Sequence, residues 1–136
     1  MQDVLNIEAA SNLTPWSKKT FQKILENRSI SFVIRSNESV VAFCIANKVL
    51  DECHLQNIAV IEELRGKGIG TFMLNILFKR AKLSDLDTVL LEVRESNEIA
   101  RKFYRDNGFT ELSIRKNYYK AEKGKENAII MRLEVA

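Results

Sequence analysis

The sequence predicts a single α/β domain, classed as α+β in some schemes, and three stretches carry that prediction. Residues 30–60 hold three segments rich in β-branched and aromatic side chains, joined by short polar turns, which is the pattern of an antiparallel meander. Residues 57–93 run strand, glycine loop, long apolar helix, strand, and so make a βαβ unit. Two further strand-like segments follow the last helix. At 136 residues the chain fits one domain, spanning residues 1–136, with a core of its own.

In chain order, residues 2–10 predict a short helix with Val4, Leu5 and Ile7 on one side. Thr14-Pro15-Trp16-Ser17 breaks it, because proline disfavours helix at the residue before it. Ser17 is the expected N-cap of a second helix of about ten residues, whose Phe21, Ile24 and Leu25 recur at helical spacing. Residues 30–35, 40–50 and 53–60 are the expected strands of the meander, with turns at Ser36-Asn37-Glu38-Ser39 and Asp51-Glu52.

The stretch from Asn57 to Leu83 carries the strongest chemical signal. An acidic break, Ile61-Glu62-Glu63, follows the third strand; Arg65-Gly66-Lys67-Gly68-Ile69-Gly70 then runs straight into a helix over residues 71–83. Three of the chain's five glycines fall within these residues. At the mouth of a helix they let backbone approach a ligand closely, and the free amides at the positive end of the helix dipole stabilise an anion. Such a loop is a flexible turn in many proteins, and two sharper motifs fail on spacing. A dinucleotide fingerprint needs a third glycine where Thr71 or Met73 stands, and a P-loop needs Gly-Lys-Ser/Thr. The helix itself is apolar nearly all round, with only Thr71, Asn75, Lys79 and Lys82 forming a polar stripe, and is expected to be mostly buried.

Residues 88–93 form a nearly continuous apolar strand, suited to burial on both faces in a parallel pairing. The glycine loop then lies at the carboxyl end of the unit's first strand, where open α/β sheets hold ligands. Ser96 is the expected cap of another helix, which Gly108 ends. Residues 109–115 and 127–133 are the last strands, joined by a basic loop over residues 116–126 with Lys123-Gly124-Lys125 at its tip. A solvated hairpin is the simplest account of that loop.

Composition excludes several classes. Apolar residues make 46% and charged residues 29% of the chain, ordinary for a globular domain. A net charge of +3, spread along the sequence, does not argue for nucleic acid. No apolar run approaches the ~20 residues of a membrane span, and Met-Gln-Asp-Val-Leu lacks the marks of a signal peptide. Cys44 and Cys53 share no spacing with a second cysteine or histidine pair, so neither a disulfide nor a metal is expected; buried reduced thiols in a cytoplasmic protein are.

Five polar or aromatic positions invite a chemical reading. Glu92 interrupts an apolar strand at its carboxyl end: it is either a carboxylate solvated or paired with Arg94, or a general base whose apolar neighbours raise its pKa. Asn97 and Tyr104 lie seven residues apart, on one helix face bordered by Ile99, Ala100 and Phe103. Tyr104 reads as a core aromatic or as a phenol able to protonate a departing thiolate. His54, the only histidine, sits about four residues or ~13 Å before Ile58 and reads as structural. Trp16 is expected to cover the core or border a cleft.

Taken together, these blocks resemble the RimI-type ribosomal-protein N-alpha-acetyltransferases of the GCN5-related (GNAT) superfamily. The resemblance rests on Pro15-Trp16-Ser17-Lys18-Lys19-Thr20-Phe21, Asn57-Ile58-Ala59-Val60, Arg65-x-x-Gly68-x-Gly70 and Leu91-Glu92-Val93-Arg94. Ser96-Asn97, Phe103-Tyr104-x-x-x-Gly108-Phe109, Ile114-Arg115-x-Asn117-Tyr118-Tyr119 and Ala128-Ile129-Ile130-Met131 extend it over nearly everything after Thr14. It implies a mixed, mostly antiparallel sheet with a parallel splayed pair at the acetyl-CoA site and helices on both faces. Members usually begin with a strand before the first helix, and this chain starts inside that helix, so that strand is expected to be missing.

The resemblance also implies acetyl transfer from acetyl-CoA, a cosubstrate, to the N-terminal alanine of protein eighteen of the small ribosomal subunit, without a metal. By position, Glu92 matches the general base and Tyr104 the general acid. Ile58, Ala59, Val60, Arg65, Gly66, Lys67, Gly68, Ile69, Gly70, Thr71 and Asn97 match coenzyme contacts, while Tyr118 and Tyr119 fall where relatives meet the substrate peptide; Trp16, at the border of the expected cleft, joins them as a candidate substrate contact. A ribosomal-protein peptide is thus the expected partner of a monomer or weak dimer in the cytoplasm, with no nucleic acid and no membrane. The competing readings are an acetyltransferase for protein lysine or small-molecule amines, a non-catalytic acetyl-CoA-binding module, and a nucleic-acid adaptor resting on the basic loop.

Overall fold

A computed structural model describes residues 1–12, 14–26, 29–121 and 124–135. The elements are α1 (Gln2–Ser11), α2 (Lys18–Leu25), β1 (Phe32–Ser36), β2 (Ser39–Val49), β3 (Glu52–Val60), α3 (Ile69–Leu83), β4 (Thr88–Arg94), α4 (Glu98–Asp106), β5 (Thr110–Lys120) and β6 (Lys125–Glu134), with a single 3-10 turn over Glu62–Leu64. The strands form one sheet in the order β1-β2-β3-β4-β6-β5. The meander β1-β2-β3 is antiparallel, as its short turns require. β4 runs parallel to β3 on one side and antiparallel to β6 on the other, so the sheet is mixed and mostly antiparallel.

Period-two alternation along β2 sorts its side chains into two cores. Ala42, Cys44 and Ala46 face Met73, Leu74, Leu77 and Ala81 of α3, while Phe43 and Ile45 face Val4, Ile7 and Phe21 of α1 and α2. Helices therefore cover both faces. Ser17 caps α2 through a bond from the Thr20 N–H at 3.2 Å, and Phe21, fully buried, meets Trp16 and Phe43 edge-on at 5.1 and 5.7 Å between ring centroids.

The structure corrects several element-level expectations. α3 buries one face only: Phe72 and Leu83 are 57% and 86% exposed, because the helix lies on the sheet and, among the described residues, nothing is packed over its outer side. Leu25 is exposed at the end of α2, and Ile99, expected to border the Asn97–Tyr104 face, is exposed too. The cap of α4 is Asn97, not Ser96; its Oδ1 accepts the Ala100 N–H at 3.1 Å. Strands β5 and β6 claim most of the expected basic loop, and of its tip Lys123 lies outside the described residues.

Candidate active site

Strands β3 and β4 pair only from Cys53–Val89 to Leu55–Leu91 and then part. Sequence periodicity offers no reason for the split, but the register does. Ala46 opposes Leu55 and Ile45 opposes Asn57, so Gln56 is an extra residue on β3. Such a bulge bends its strand, here away from β4. Into the gap opens a cavity of about 560 Å³, lined by the parting strands, the α1–α2 connection, α4 and β5.

One wall is unpaired backbone. Ile61 donates its N–H to the Val41 carbonyl at 2.9 Å. Alternate residues of an antiparallel strand bond the same neighbour, so Ala59 also turns to β2, while Ile58 and Val60 turn their amides toward the gap. The Val60 carbonyl accordingly accepts Arg65 Nε at 3.1 Å. Of the expected coenzyme strand, Ile58 lines the cavity, whereas the Ala59 side chain is buried in the α1–α2 core.

The glycine loop follows directly. Gly68 is the N-cap of α3 at φ 82, a left-handed conformation in which a side chain is strained, and Gly66 has φ 77. A Cβ on either would meet nothing within 4 Å, so the loop faces open space. No side chain caps the helix, and the first amide to bond backward is Phe72, to Gly68 at 3.0 Å; the amides of Ile69, Gly70 and Thr71 have no intrahelical acceptor. Gly70 serves packing: a Cβ there would stand 2.9 Å from the Phe103 ring of α4. The Arg65 side chain straps the loop down. It spans from the Val60 carbonyl to Ser11 Oγ at the end of α1, 3.0 Å from Nη2. Lys67 is exposed on the loop. These bare amides and the unpaired edge fit a diphosphate and an amide-bearing arm of the kind acetyl-CoA carries.

On the opposite wall, Glu92 on β4 faces the cavity with Tyr118 and Tyr119 of β5, while Tyr104 and Asn97 enter from α4. The surroundings of Glu92 are not apolar, as expected from its strand: Oε1 accepts Arg115 Nη1 at 2.7 Å. That bond raises the guanidinium's pKa, and the Arg115 Cζ lies 4.1 Å from the Tyr118 ring centroid. Tyr104 is buried, and burial followed by the nearby Cys44 raises its phenol pKa well above the ordinary 10.0, so it stays protonated. Burial, then Glu92, pushes Tyr119 up to about 12. Trp16 does border the cleft, and its N–H donates to Glu8 Oε2 at 2.9 Å. His54 lines the floor, with Nε2 3.4 Å from Glu52.

Sequence reasoning missed the supports. Glu8, 1% exposed, holds three donors on its carboxylate: the Trp16 N–H, Asn12 and Asn57. Arg94 Nη1 bonds Glu126 at 2.9 Å and Nη2 bonds Thr14 at 3.2 Å, with its Cζ 4.5 Å from the Tyr119 ring centroid. In β5, residues 116–118 oppose the single Asn127, whose Oδ1 accepts the Asn117 N–H at 3.0 Å. Asn117 takes φ 56 there, and the bulge turns Tyr118 over the cavity. The only sequence signal for Glu8 is a carboxylate beside Ile7 on the apolar side of α1.

The sequence profile of the acetyltransferase (GNAT) family matches residues 1–109. A [ribosomal protein bS18]-alanine N-acetyltransferase of Escherichia coli (strain K12) is 39% identical over 131 residues, which is 96% of this chain and 88% of that protein. The crystal structure of the ribosomal-protein-S18-alanine N-acetyltransferase from Escherichia coli matches with a TM-score of 0.91 at 38% identity, over 99% of this chain and 87% of that one. A GNAT family acetyltransferase from Elizabethkingia anophelis with acetyl-CoA bound shares the fold, with a TM-score of 0.77 at 23% identity over 87% of this chain and 83% of that one.

Proposed function

This chain belongs to the acetyltransferase (GNAT) family, and from that membership and its site we propose that it acetylates the N-terminal alanine of protein eighteen of the small ribosomal subunit. The observation that carries the chemistry is the gap between β3 and β4, with bare amides on one wall and Glu92 and Tyr104 on the other. The substrate rests on the identity of 39% to a relative named for that reaction. The same reading makes residues 1–136 one catalytic domain, acting in the cytoplasm as a monomer or weak dimer. No helix among the described residues is long and apolar enough to cross a membrane.

Acetyl-CoA, when bound, supplies a thioester as the acyl donor. The amides of the Arg65–Thr71 loop hold its diphosphate at the positive end of α3. Ile58 and Val60 offer strand-like bonds to the arm, and the Val60 N–H polarises the carbonyl under attack. Glu92 takes a proton from the α-ammonium through a water; the freed amine nitrogen bonds the acyl carbon as the carbon–sulfur bond breaks. Tyr104, held protonated, donates to the departing sulfur and regains a proton from the nitrogen, which sheds its second one as the amide forms. Positioning can supply ~7–11 kcal/mol and the acid and base ~10²–10⁴-fold each.

An α-amine suits a single carboxylate base better than lysine does. Their ordinary pKa values, ~8 and ~10.4, differ by about 3.3 kcal/mol of deprotonation cost. The test mixes protein, acetyl-CoA and an alanine-first peptide copying that ribosomal protein. One acetyl group on the α-amine is expected and a pre-blocked peptide stays inert; acetylation of internal lysines instead would reject the assignment.

A further inference from the structure

The site holds a cation of its own beside the proposed base. Arg115 stands on β5 just before the 116–118 bulge, its Nη1 2.7 Å from Glu92 Oε1 and its Cζ 4.1 Å from the Tyr118 ring centroid. A carboxylate on one side and an aromatic face on the other form a half-open box suited to any cation. A peptide α-amine, with a pKa of ~8, reaches the site mostly as ammonium at neutral pH. It must approach the same carboxylate to be deprotonated.

We propose that Arg115 stands in for the acceptor's α-ammonium: it occupies Glu92 and the Tyr118 face in the resting protein and is displaced when the amine arrives. The inference rests on the reading of Glu92 as the group that receives the amine. Displacement is cheap because the side chains of Arg115 and Glu92 are 51% and 30% exposed, and an exposed ion pair of this kind holds its partners only weakly. The guanidinium can swing into water from an edge strand with no further strand beside it among the described residues. The arrangement also selects acceptors. A bare small amine has only its charge with which to compete, whereas a peptide adds contacts along the cleft that meet the cost of displacement.

The test titrates two peptides by calorimetry into protein saturated with CoA, which binds without turnover. One is the alanine-first peptide, the other its N-acetylated form, which carries no cation. Arg115→Gln should tighten the free-amine peptide by about two- to fivefold, the change corresponding to an exposed pair, and leave the acetylated peptide unchanged. Arg115→Lys keeps a positive charge beside Glu92 and should bind both peptides as the wild type does. Weaker or unaltered free-amine binding by Arg115→Gln, or an equal change for both peptides, overturns the proposal while acetylation by the wild type leaves the acceptor assignment standing. A wild type that binds neither peptide overturns both.

Discussion

At Glu92 and Tyr104 one site sets two protonation problems, and burial separates them. Tyr104 is enclosed and its pKa is raised above 10.0; Glu92 sits in a polar mouth with Arg115 and two tyrosines. Glu92→Gln and Tyr104→Phe should each lower kcat by about 10²–10⁴-fold, with coenzyme binding by calorimetry little changed; near wild-type turnover would reject the role. Because the phenol stays protonated, the rate should rise through the α-amine pKa of ~8 and show no fall from Tyr104 ionisation below pH 10.0, which a pH–rate profile reads directly. Glu8 bears on stability instead. Glu8→Ala strips an acceptor from the Trp16 N–H and Asn57, and should cost about 3 kcal/mol in denaturant unfolding, with Glu8→Gln milder. The placement of Glu92 and Tyr104 at the cavity was legible because a polar residue in an apolar strand, and a tyrosine two turns from an asparagine, are local patterns. Glu8, Arg94 and Asn127 were not, since their partners lie up to 80 residues away.

Among elements, the start of α3 and the two bulges shape the site. Gly68→Ala forces a side chain into φ 82, and should destabilise the protein by about 1 kcal/mol while raising the KM for acetyl-CoA. Unchanged coenzyme KM would mean that the loop does not grip the diphosphate. Ser17→Ala removes the cap on Thr20 and should lower stability by about 1 kcal/mol without touching kcat. The strands and helices were visible in the pattern of apolar residues and caps, but β5 and β6 reach into the expected basic loop, β5 as far as Lys120 and β6 from Lys125. The bulges at Gln56 and at residues 116–118 were not, because a bulge is defined by the strand opposite, and no local periodicity reports it. The burial of α3 was overestimated for a related reason: composition says that a helix can be buried, and only the layers say whether anything covers its far side.

For the whole molecule, the sheet separates two cores, and burial in one of them keeps two thiols neutral. Burial lifts Cys44 and Cys53 from 9.0 to about 12. A pKa raised on folding stabilises fully below the unfolded value and is lost as pH rises through the folded one. Thermal midpoints should therefore hold up to about pH 9.0 and fall from there toward 12, and Cys44→Ala with Cys53→Ala should flatten that fall. An equally steep decline in the double variant would assign it to other groups. Mixed sheet topology was legible from the βαβ unit, while the order β4-β6-β5, with the last two strands filling one side, needed contacts between distant segments.

The carboxylate of Glu8 ties the Trp16 backbone in the α1–α2 connection to Asn57 on β3, across one end of the cleft. Anyone transplanting the α1–α2 connection from a relative to alter which N-termini are accepted would thus be moving half of a clasp. Such a chimera should keep its catalytic competence only if Glu8 and Asn57 travel with the graft or are matched in the recipient.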